Sequence, residues 1–420
     1  MNLARLNHIL IPSTKEGRDR VRAGWGVRIF RPLTWFGEAT TREGRLLTLL
    51  VMAIALASVD VQSTQVFLLW AALSGLLLAS LVGRHFFRLQ RVKLTAHCPP
   101  RVTEGEALEI RLSVNNTSEQ AHQALRITGP FLPWDGAWVS PAPRIAELAP
   151  GTTAERTTHA RFIERGEHHL DVFNAACLVP LGLAVGPSVE SDGCRFTVLP
   201  RPVKVTSLTL SQANLDAGAK LGAKASRGRG AGLELLGVRG YRPGDPVRDL
   251  HVRTWARTGK PHVREYQPTY EGRYLLLLDA AGARDEPAFE ASIRLTAGIC
   301  TLWTDQGQIC DLALTGEPGV VHGIGSYRES LTAALDRLAR VAPNSLPVED
   351  VLDRIASLTS DEVEAIVVVT SAPERQQRIE ATLRRMGHPS RTLCLVKRRG
   401  EAHVDQLVAS EVMDGREVAL

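Results

Sequence analysis

The sequence contains no paired cysteines and no cluster of metal-ligating residues. Its six cysteines stand singly, without a CxxC pair and without a histidine at ligand spacing, at Cys98, Cys177, Cys194, Cys300, Cys310 and Cys394. Zinc modules and disulfide-stapled secreted domains need closely spaced cysteines, so this pattern argues against both classes. We predict reduced, mostly buried thiols in a reducing compartment.

Sequence templates for catalysis are also missing. The segment RTGKP (257–261) lacks the upstream glycine and the Ser or Thr of a Walker A loop, and GRGAG (228–232) does not follow a predicted strand. No GxSxG, HExxH or Cys–His signature occurs elsewhere. The sequence therefore predicts no catalytic residue and no cofactor.

A strong overall charge is missing as well. The 420 residues include 50 Lys and Arg against 45 Asp and Glu, and this excess does not indicate a nucleic-acid-binding protein. The basic residues are nevertheless concentrated, since Lys220 to Tyr266 holds eleven Lys or Arg and four acids. Nucleic-acid binding there would need aromatic stacking platforms, and the stretch offers only Tyr241, Trp255 and Tyr266.

Two apolar runs near the N-terminus are the strongest signal in the sequence. Leu46 to Val61 and Val66 to Gly83 contain no Lys or Arg and are separated by a short polar loop. As helices they would be about 24 and about 27 Å long, close to a hydrocarbon core of about 30 Å. They predict a transmembrane helical hairpin. The alternative is a buried hairpin in a soluble domain, but such helices usually carry a polar stripe.

Positive charge flanks both ends of this hairpin. Arg42 and Arg45 precede it, the loop between the runs carries only Asp60, and the cations that follow are Arg84, Arg88, Arg91 and Lys93. The positive-inside rule therefore predicts a multi-pass protein of the inner membrane with its soluble domains on the cytoplasmic side. Residues 1–45 are basic and aromatic and lack the features of a cleavable signal peptide. They are predicted either to lie on the inner leaflet or to form a disordered tail.

The region from residue 92 to 200 consists of short alternating stretches separated by turn residues. The clearest stretches are 107–116, 124–130, 157–173 and 194–200. This spacing is typical of a small β-sandwich. Successive strand residues point to opposite faces, so His168 and His169 cannot easily share a metal ion, and we expect packed or surface histidines.

Strands alternate with helices after residue 273. The predicted strands are 274–279, 308–315, 364–370 and 391–397, and the predicted helices are 287–305, 326–341, 348–357 and 373–387. This alternation predicts a doubly wound α/β domain with a mostly parallel sheet and helices on both faces. Ligands of such sheets bind beyond the carboxyl ends of the strands, which makes Asp279 the position to examine.

The C-terminal pattern resembles the von Willebrand factor A fold, which often carries a metal-ion-dependent adhesion site with the motif DxSxS after its first strand. Here Asp279 is followed by AAGA, so both serines are missing, and Thr370 and Ser371 stand where the family commonly has an aspartate. A hard cation such as Mg²⁺ needs several oxygen ligands, and one carboxylate is too few. The resemblance therefore implies a degenerate site without a metal.

The segment GLELLGVRGYRPGDPVRDLHVRTWARTGKPHVREY (232–266) closely resembles the hallmark of the bacterial domain-of-unknown-function-58 family. The matching residues are Gly232, Glu234, Arg239, Tyr241, Gly244, Asp245, Arg248, Trp255, Ala256, Arg257, Thr258, Val263, Arg264 and Glu265. The segment departs from the family at LHVRTW (250–255), which supplies no Asp directly before Trp255. With RGEHHL (165–170) and PLGL (180–183), the resemblance covers roughly residues 46–400.

This resemblance implies a function and a layout. Members of the family are commonly encoded beside MoxR-type AAA+ ATPases, which implies such an ATPase and membrane lipids as partners of a non-enzymatic, membrane-anchored scaffold or adaptor. The alternative is an enzyme of the cell envelope or of phosphate chemistry, with Asp245 or Asp279 as acid or base. The predicted parts are a basic segment (1–45), the hairpin (46–83), a β-sandwich (92–200), a linker (201–231), the signature segment (232–270), a von Willebrand A-like domain (271–400) and a tail (401–420).

Turn and cap signals predict the local structure of residues 241–260. Pro243 and Gly244 predict a turn, and Asp245 with the following proline predicts the start of a helix. Gly259 is expected to end that helix in the left-handed conformation.

Two hypotheses account for the remaining residues of this segment. Burial of Trp255 near Leu250 and Val252 would make it a structural clasp on the C-terminal domain. The surplus of arginine over local acids predicts attraction to an acidic partner surface or to anionic headgroups.

Overall fold

The computed structural model describes residues 35–57, 64–208, 235–242, 245, 247–266, 273–283, 286–317, 320–324, 330–358, 363–387, 389–396 and 406–420. Most of the predicted linker and of the basic N-terminal segment, and the end of the first apolar run, lie outside these residues. The chain divides into two compact units, Met1–Leu199 and Pro200–Leu420.

In the described part of the first unit, residues 35–39 are helical, and two longer helices, α1 (Arg42–Ala57) and α2 (Thr64–Gly83), contact each other. Helix α2 continues into a 3-10 turn, Arg84–Phe87. The stretch Gln65–Phe87 is long and apolar enough to cross a membrane, and very little of it is buried. Helix α1 has 16 residues, fewer than the roughly 20 that a span needs. The structure therefore supports one possible membrane span in the described part of the chain.

Mostly antiparallel β-sheets are formed by residues 92–199 of the first unit. Its described strands are β1 (Val92–His97), β2 (Arg101–Thr103), β3 (Ala107–Asn116), β4 (His122–Thr128), β5 (Gly136–Trp138), β6 (Arg144–Leu148), β7 (Thr153–Phe162), β8 (Gly166–Leu170), β9 (Asn174–Cys177), β10 (Val189–Glu190) and β11 (Cys194–Leu199). Two sheets, β1-β3-β7-β5 and β10-β9-β4-β6, are antiparallel, and β2-β11-β8 contains one parallel pair.

The core of these sheets follows the sequence alternation. In β3 every second side chain from Leu108 to Val114 is buried, as predicted. The stretch 157–173, predicted as one element, contains both β7 and β8. They are separated by a turn ending at Gly166, whose φ of 128° favours glycine.

The second unit contains a mixed, mostly parallel α/β sheet. The described strands of the second unit are β12 (Val205–Ser207), β13 (Leu235–Gly240), β14 (His262–Tyr266), β15 (Arg273–Asp279), β16 (Ile309–Leu314), β17 (Val321–Ile324), β18 (Ala365–Thr370), β19 (Ser390–Val396), β20 (Gln406–Val408) and β21 (Val418–Ala419). Its described helices are α3 (Val252–Thr258), α4 (Pro287–Asp305), α5 (Leu331–Arg340), α6 (Val348–Leu358), α7 (Pro373–Met386) and α8 (Ala409–Met413). The sheet order is β17-β16-β15-β18-β19-β20, and only the edge strand β17 is antiparallel to its neighbour.

Helices cover both faces of this sheet, as predicted. Leu276 and Leu278 of β15 pack in one cluster with Phe289 of α4. Leu275 and Leu277, on the opposite face, pack in a second cluster that includes residues of α6 and α7. Because all four leucines are fully buried, β15 is an uninterrupted apolar run rather than an alternating one.

A short parallel pair of strands, β12 with β21, packs at α4. Gly298 of α4 permits this approach, since a Cβ at that position would lie 2.3 Å from the Val203 carbonyl oxygen. Val205 and Val418 belong to the same core as α4. Residues at both ends of the second unit therefore contribute to its main core.

Candidate functional site

Asp279 ends β15 at the carboxyl edge of the parallel sheet, and its side chain is fully buried. Thr370, at the end of the neighbouring strand β18, is its register partner. The Thr370 hydroxyl donates a hydrogen bond to Asp279 Oδ2 at 2.8 Å, and the Ala281 amide donates to Oδ1 at 3.2 Å. The predicted strand-end position of Asp279 is confirmed, and the carboxylate is held by the chain around it.

Arg375, the third residue of α7, reaches the same carboxylate. Its Nη1 lies 3.2 Å from Asp279 Oδ1 and also donates to the Leu346 carbonyl oxygen at 2.9 Å. Its Nη2 donates to the Ser345 carbonyl oxygen at 3.4 Å. The Arg375 side chain is 23% exposed. One ion pair thus connects the end of β15, the first turn of α7 and the loop before α6.

The electrostatics at Asp279 are a balance of opposed effects. Burial raises the pKa of this carboxyl above its ordinary value and is the largest effect. The hydrogen bond from Thr370, the charge of Arg375 and the Ala281 amide act in the opposite direction. The ionised form therefore depends on donors that the protein itself supplies.

A cation site of the DxSxS kind does not fit these residues. The Asp279 oxygens already accept three hydrogen bonds, and the Ser371 hydroxyl donates to the Ala281 carbonyl oxygen at 2.6 Å. Across the described ranges, no group of three or more His, Cys, Asp or Glu side chains could hold a metal ion. The positive charge beside Asp279 is the guanidinium of Arg375.

His168 of the first unit packs against an aromatic ring and is hydrogen-bonded. His168 Nε2 lies 2.7 Å from Asp135 Oδ2, and the imidazole stacks on Phe196 with ring centroids 5.7 Å apart. Burial disfavours the charged imidazolium, but hydrogen bonds to Asp135 and to the Gly166 carbonyl outweigh it, so the pKa of His168 is raised.

The Arg-rich signature segment forms a hairpin with a helix between its strands. We call it the finger and define it as residues 235–242, 245 and 247–266. Strands β13 and β14 pair antiparallel, and Leu250 makes a bridge to Val263, whose side chain is buried. Gly259 ends α3 with a φ of 71°, which confirms the predicted left-handed helix end.

A 3-10 turn, Val247–Asp249, follows Asp245, but α3 begins only at Val252, so the single helix predicted to start at Asp245 is not formed. Both Asp245 oxygens accept hydrogen bonds from Arg239, at 2.8 and 2.9 Å, and the Arg242 amide donates to Oδ2 at 2.8 Å. The hydrogen bonds from Arg239 are the largest cause of a pKa of about 2 for Asp245. Helix α3 is capped instead by His251, whose Nδ1 accepts from the Thr254 amide at 3.2 Å. A bidentate, charge-assisted pair is stronger than a helix cap, which explains the difference.

The expected burial of Trp255 is also wrong. Trp255 is 41% exposed and Val252 is 67% exposed. Leu250 is half-buried, and the buried position of the hairpin is taken by Val263. The structural role expected of Trp255 as a clasp is therefore not supported by its packing.

The cations of the finger face outward. The Arg248 side chain is 84% exposed, and its Nε lies 3.8 Å from Asp249 Oδ1. The other exposed members are Arg242, Arg253, Arg257, Lys260 and Arg264. Tyr241 is 38% exposed. Of the remaining signature positions, Glu234 and Gly244 lie outside the described residues, and Glu265 contributes backbone pairing to β14.

Arg375 was not identified from the sequence, although one signal was present. Pro373 marks the first turn of a helix, and a cation in that turn is disfavoured by the helix dipole. Such a cation indicates a nearby anion, which here is Asp279, 96 positions away in the sequence.

The second unit of the chain matches one known protein family. Residues 237–415 match the family described as "Protein of unknown function DUF58". No curated protein matches the chain. Among solved structures, alpha-2-macroglobulin of E. coli is 16% identical with a TM-score of 0.21, over 32% of this chain and 10% of that one.

Two further structures show the same low similarity. The VesB protease of Vibrio cholerae is 13% identical with a TM-score of 0.18, over 28% of this chain and 33% of that one. The GH20 exo-beta-N-acetylglucosaminidase of Vibrio harveyi is 11% identical with a TM-score of 0.18, over 78% and 80% of the two chains. The chain thus spans a tenth and a third of the first two structures' lengths, and TM-scores this low carry no argument about the fold.

Proposed function

Over residues 237–415 this chain belongs to the DUF58 family, and from that premise we propose that it is a membrane-anchored adaptor without catalytic activity. It acts with a MoxR-type AAA+ ATPase, the partner implied by the family resemblance, in the assembly or remodelling of other proteins. The proposal has three parts, which are the anchor, the soluble modules and the absence of a reaction at the strand ends.

The anchor is a two-pass helical hairpin of the inner membrane, made of α1 and α2. The apolar, exposed stretch Gln65–Phe87 supports one pass, and the contact between α1 and α2 supports its pairing with a second. Residues 58–63, which lengthen the first run in sequence, lie outside the described residues. Arginines at both ends of the pair support a cytoplasmic location of the soluble modules, by the positive-inside rule.

The soluble modules are a β-sandwich in the first unit and a von Willebrand A-like domain in the second. The shared core of the antiparallel sheets supports the sandwich. The parallel strands, with an aspartate ending β15 and helices on both faces, support the second assignment.

The observation that carries the non-enzymatic proposal is the ion pair between Asp279 and Arg375. A general acid or base must exchange a proton with a bound substrate, but this carboxylate is fully buried and already accepts three hydrogen bonds. Its role is to join strand ends and a helix, which is a structural role.

Co-purification tests the adaptor proposal. The full-length tagged protein and the ATPase would be expressed together, extracted from membranes in mild detergent and isolated through the tag. We expect the ATPase to be retained, and an unrelated two-pass membrane protein carrying the same tag serves as the control. Equal recovery of the ATPase with both tagged proteins would refute the partnership.

A further inference from the structure

We propose that the finger is a docking surface for a carboxylate-rich patch on a partner protein. This inference rests on the proposed adaptor function and adds the chemistry of recognition to it. The occupant is an acidic protein surface, and the contact centres on α3.

The first support is the charge of the finger. Between residues 241 and 260 there are five Lys or Arg and two acids, Asp245 and Asp249. Asp245 is already engaged by Arg239 and Asp249 lies beside Arg248. Among the described residues no ion pair joins Arg253, Arg257 or Lys260 to an acid. All three cations are exposed, so carboxylates from outside the chain can reach them.

The second support is the apolar surface beside these cations. Val252 and Trp255 stand three residues apart on α3, so they share one side of the helix, and both are exposed. Arg253 and Arg257 stand four residues apart and share an adjacent side. Buried tryptophan and arginine contribute most of the binding energy in many protein interfaces, and here the two types lie side by side.

The third support is that the finger is held in one conformation by its own contacts. Arg239 and Asp245 form a bidentate pair across the turn, His251 caps α3, and Gly259 ends it. The His251 amide donates to the His262 carbonyl oxygen at 2.8 Å, which fixes the start of α3 against β14. A surface ordered before binding loses less conformational entropy on binding.

Arginine chemistry favours a protein over a membrane as the occupant. Four of the five cations between residues 241 and 260 are arginines, whose forked guanidinium matches a carboxylate with two hydrogen bonds. Helices that lie on membranes carry a face of large apolar residues such as Trp, Phe and Leu. Helix α3, with the sequence VRTWART, has one such residue.

The test uses the full-length protein in nanodiscs of zwitterionic lipid and fluorescent poly-L-glutamate as the probe. We expect salt-sensitive binding that Arg253→Glu with Arg257→Glu weakens by about tenfold or more, and that Trp255→Ala also weakens. The control is Arg378→Glu with Arg384→Glu, which reverses the charges of two exposed arginines on α7 and so matches the change in net charge. Equal weakening by the control would overturn the proposal, because it would show that binding follows overall charge.

Two more measurements separate the possible failures. Finger-dependent binding to phosphatidylserine vesicles without finger-dependent binding of poly-L-glutamate would overturn the proposal in favour of a membrane. If the ATPase is retained equally by the wild type and by the finger double variant, the finger inference fails and the adaptor function stands. If the ATPase is never retained but poly-L-glutamate binding depends on the finger, the ATPase partnership fails and the finger inference is supported.

Discussion

Replacing Arg375 with methionine should destabilise the carboxyl edge of the sheet in the second unit. The substitution keeps a long side chain but leaves the fully buried Asp279 carboxylate without a cation. Removing one partner of a buried ion pair costs about 3 to 5 kcal/mol. Arg375 is partly exposed, and Thr370 and the Ala281 amide still donate to Asp279, so we expect the lower end, about 3 kcal/mol.

The loss should depend on pH in a defined direction. A carboxyl whose pKa is raised on folding destabilises the folded state as the pH rises through that pKa. Arg375 lowers the pKa of Asp279, so removing Arg375 raises that pKa further. The pH range in which the folded state loses stability then extends toward neutral pH. The destabilisation should therefore shrink as the pH falls, by at most about 1.4 kcal/mol per pH unit.

Hydrogen exchange followed by mass spectrometry measures this locally. The full-length protein in detergent gives opening free energies for peptides that cover β15 and β18. Arg378→Met on the exposed side of the same helix is the matched control. The double variant Asp279→Asn with Arg375→Met should lower the opening free energy by less than the sum of the two single changes, because the charge and its partner are removed together. If Arg375→Met lowers the opening free energy by an amount within about 0.5 kcal/mol of that for Arg378→Met, the assigned role of Arg375 is refuted.

Further predictions concern other parts of the molecule. Adding Mg²⁺ or EDTA should leave the hydrogen exchange of β15 unchanged, whereas protection by Mg²⁺ would show that a cation binds at Asp279. Because the pKa of His168 is raised, its contribution to stability is present below about pH 6.5 and is lost as the pH rises through that raised pKa. Asp135→Asn should therefore lower the thermal midpoint more at pH 5.5 than at pH 8, and an equal loss at both would contradict this. Gly298→Ala should lower the free energy of hydrogen-exchange protection of β12 by about 1 to 3 kcal/mol, because the new Cβ would clash with the Val203 carbonyl oxygen. The control Gly237→Ala places its Cβ in open space and should change protection little. Trp255→Ala should cost less than about 1 kcal/mol by thermal unfolding, and a large loss would restore a structural role for this residue.

The main strands and helices between residues 273 and 396 were predictable because each depends on local sequence, whereas β12, β20, α8 and β21 lie in stretches predicted as linker and tail. The run from 274 to 279 is apolar throughout and ends in an aspartate, and the structure forms β15 from Arg273 to Asp279. The predicted helix 287–305 is α4 with the same bounds. The short edge strand β17 was missed, because Val321–Ile324 has too few residues to show a period.

The contacts that define the candidate site were not predictable from local patterns. The local sequence around Asp245 is typical of a helix cap. In the structure, however, Arg239 stands on β13, which pairs with β14, and its guanidinium binds the Asp245 carboxylate. The partner of Asp279 comes from a helix 96 positions away, and only the sheet order brings the two together. The exposure of Trp255 was missed for a similar reason, since a tryptophan in a short helix does not show which side of that helix is covered.

The pairing of β12 with β21 extends the core of the second unit beyond both ends of the family match. The family match runs from residue 237 to 415, yet Val203 and Val205 before it and Val418 and Leu420 after it are buried in the core around α4. A fragment cut at the family boundaries would lose these four side chains together and leave part of α4 uncovered. Residues 203–208 and 418–420 thus belong to the same core as the family region, and the last few residues of the chain are poor sites for a tag or a deletion.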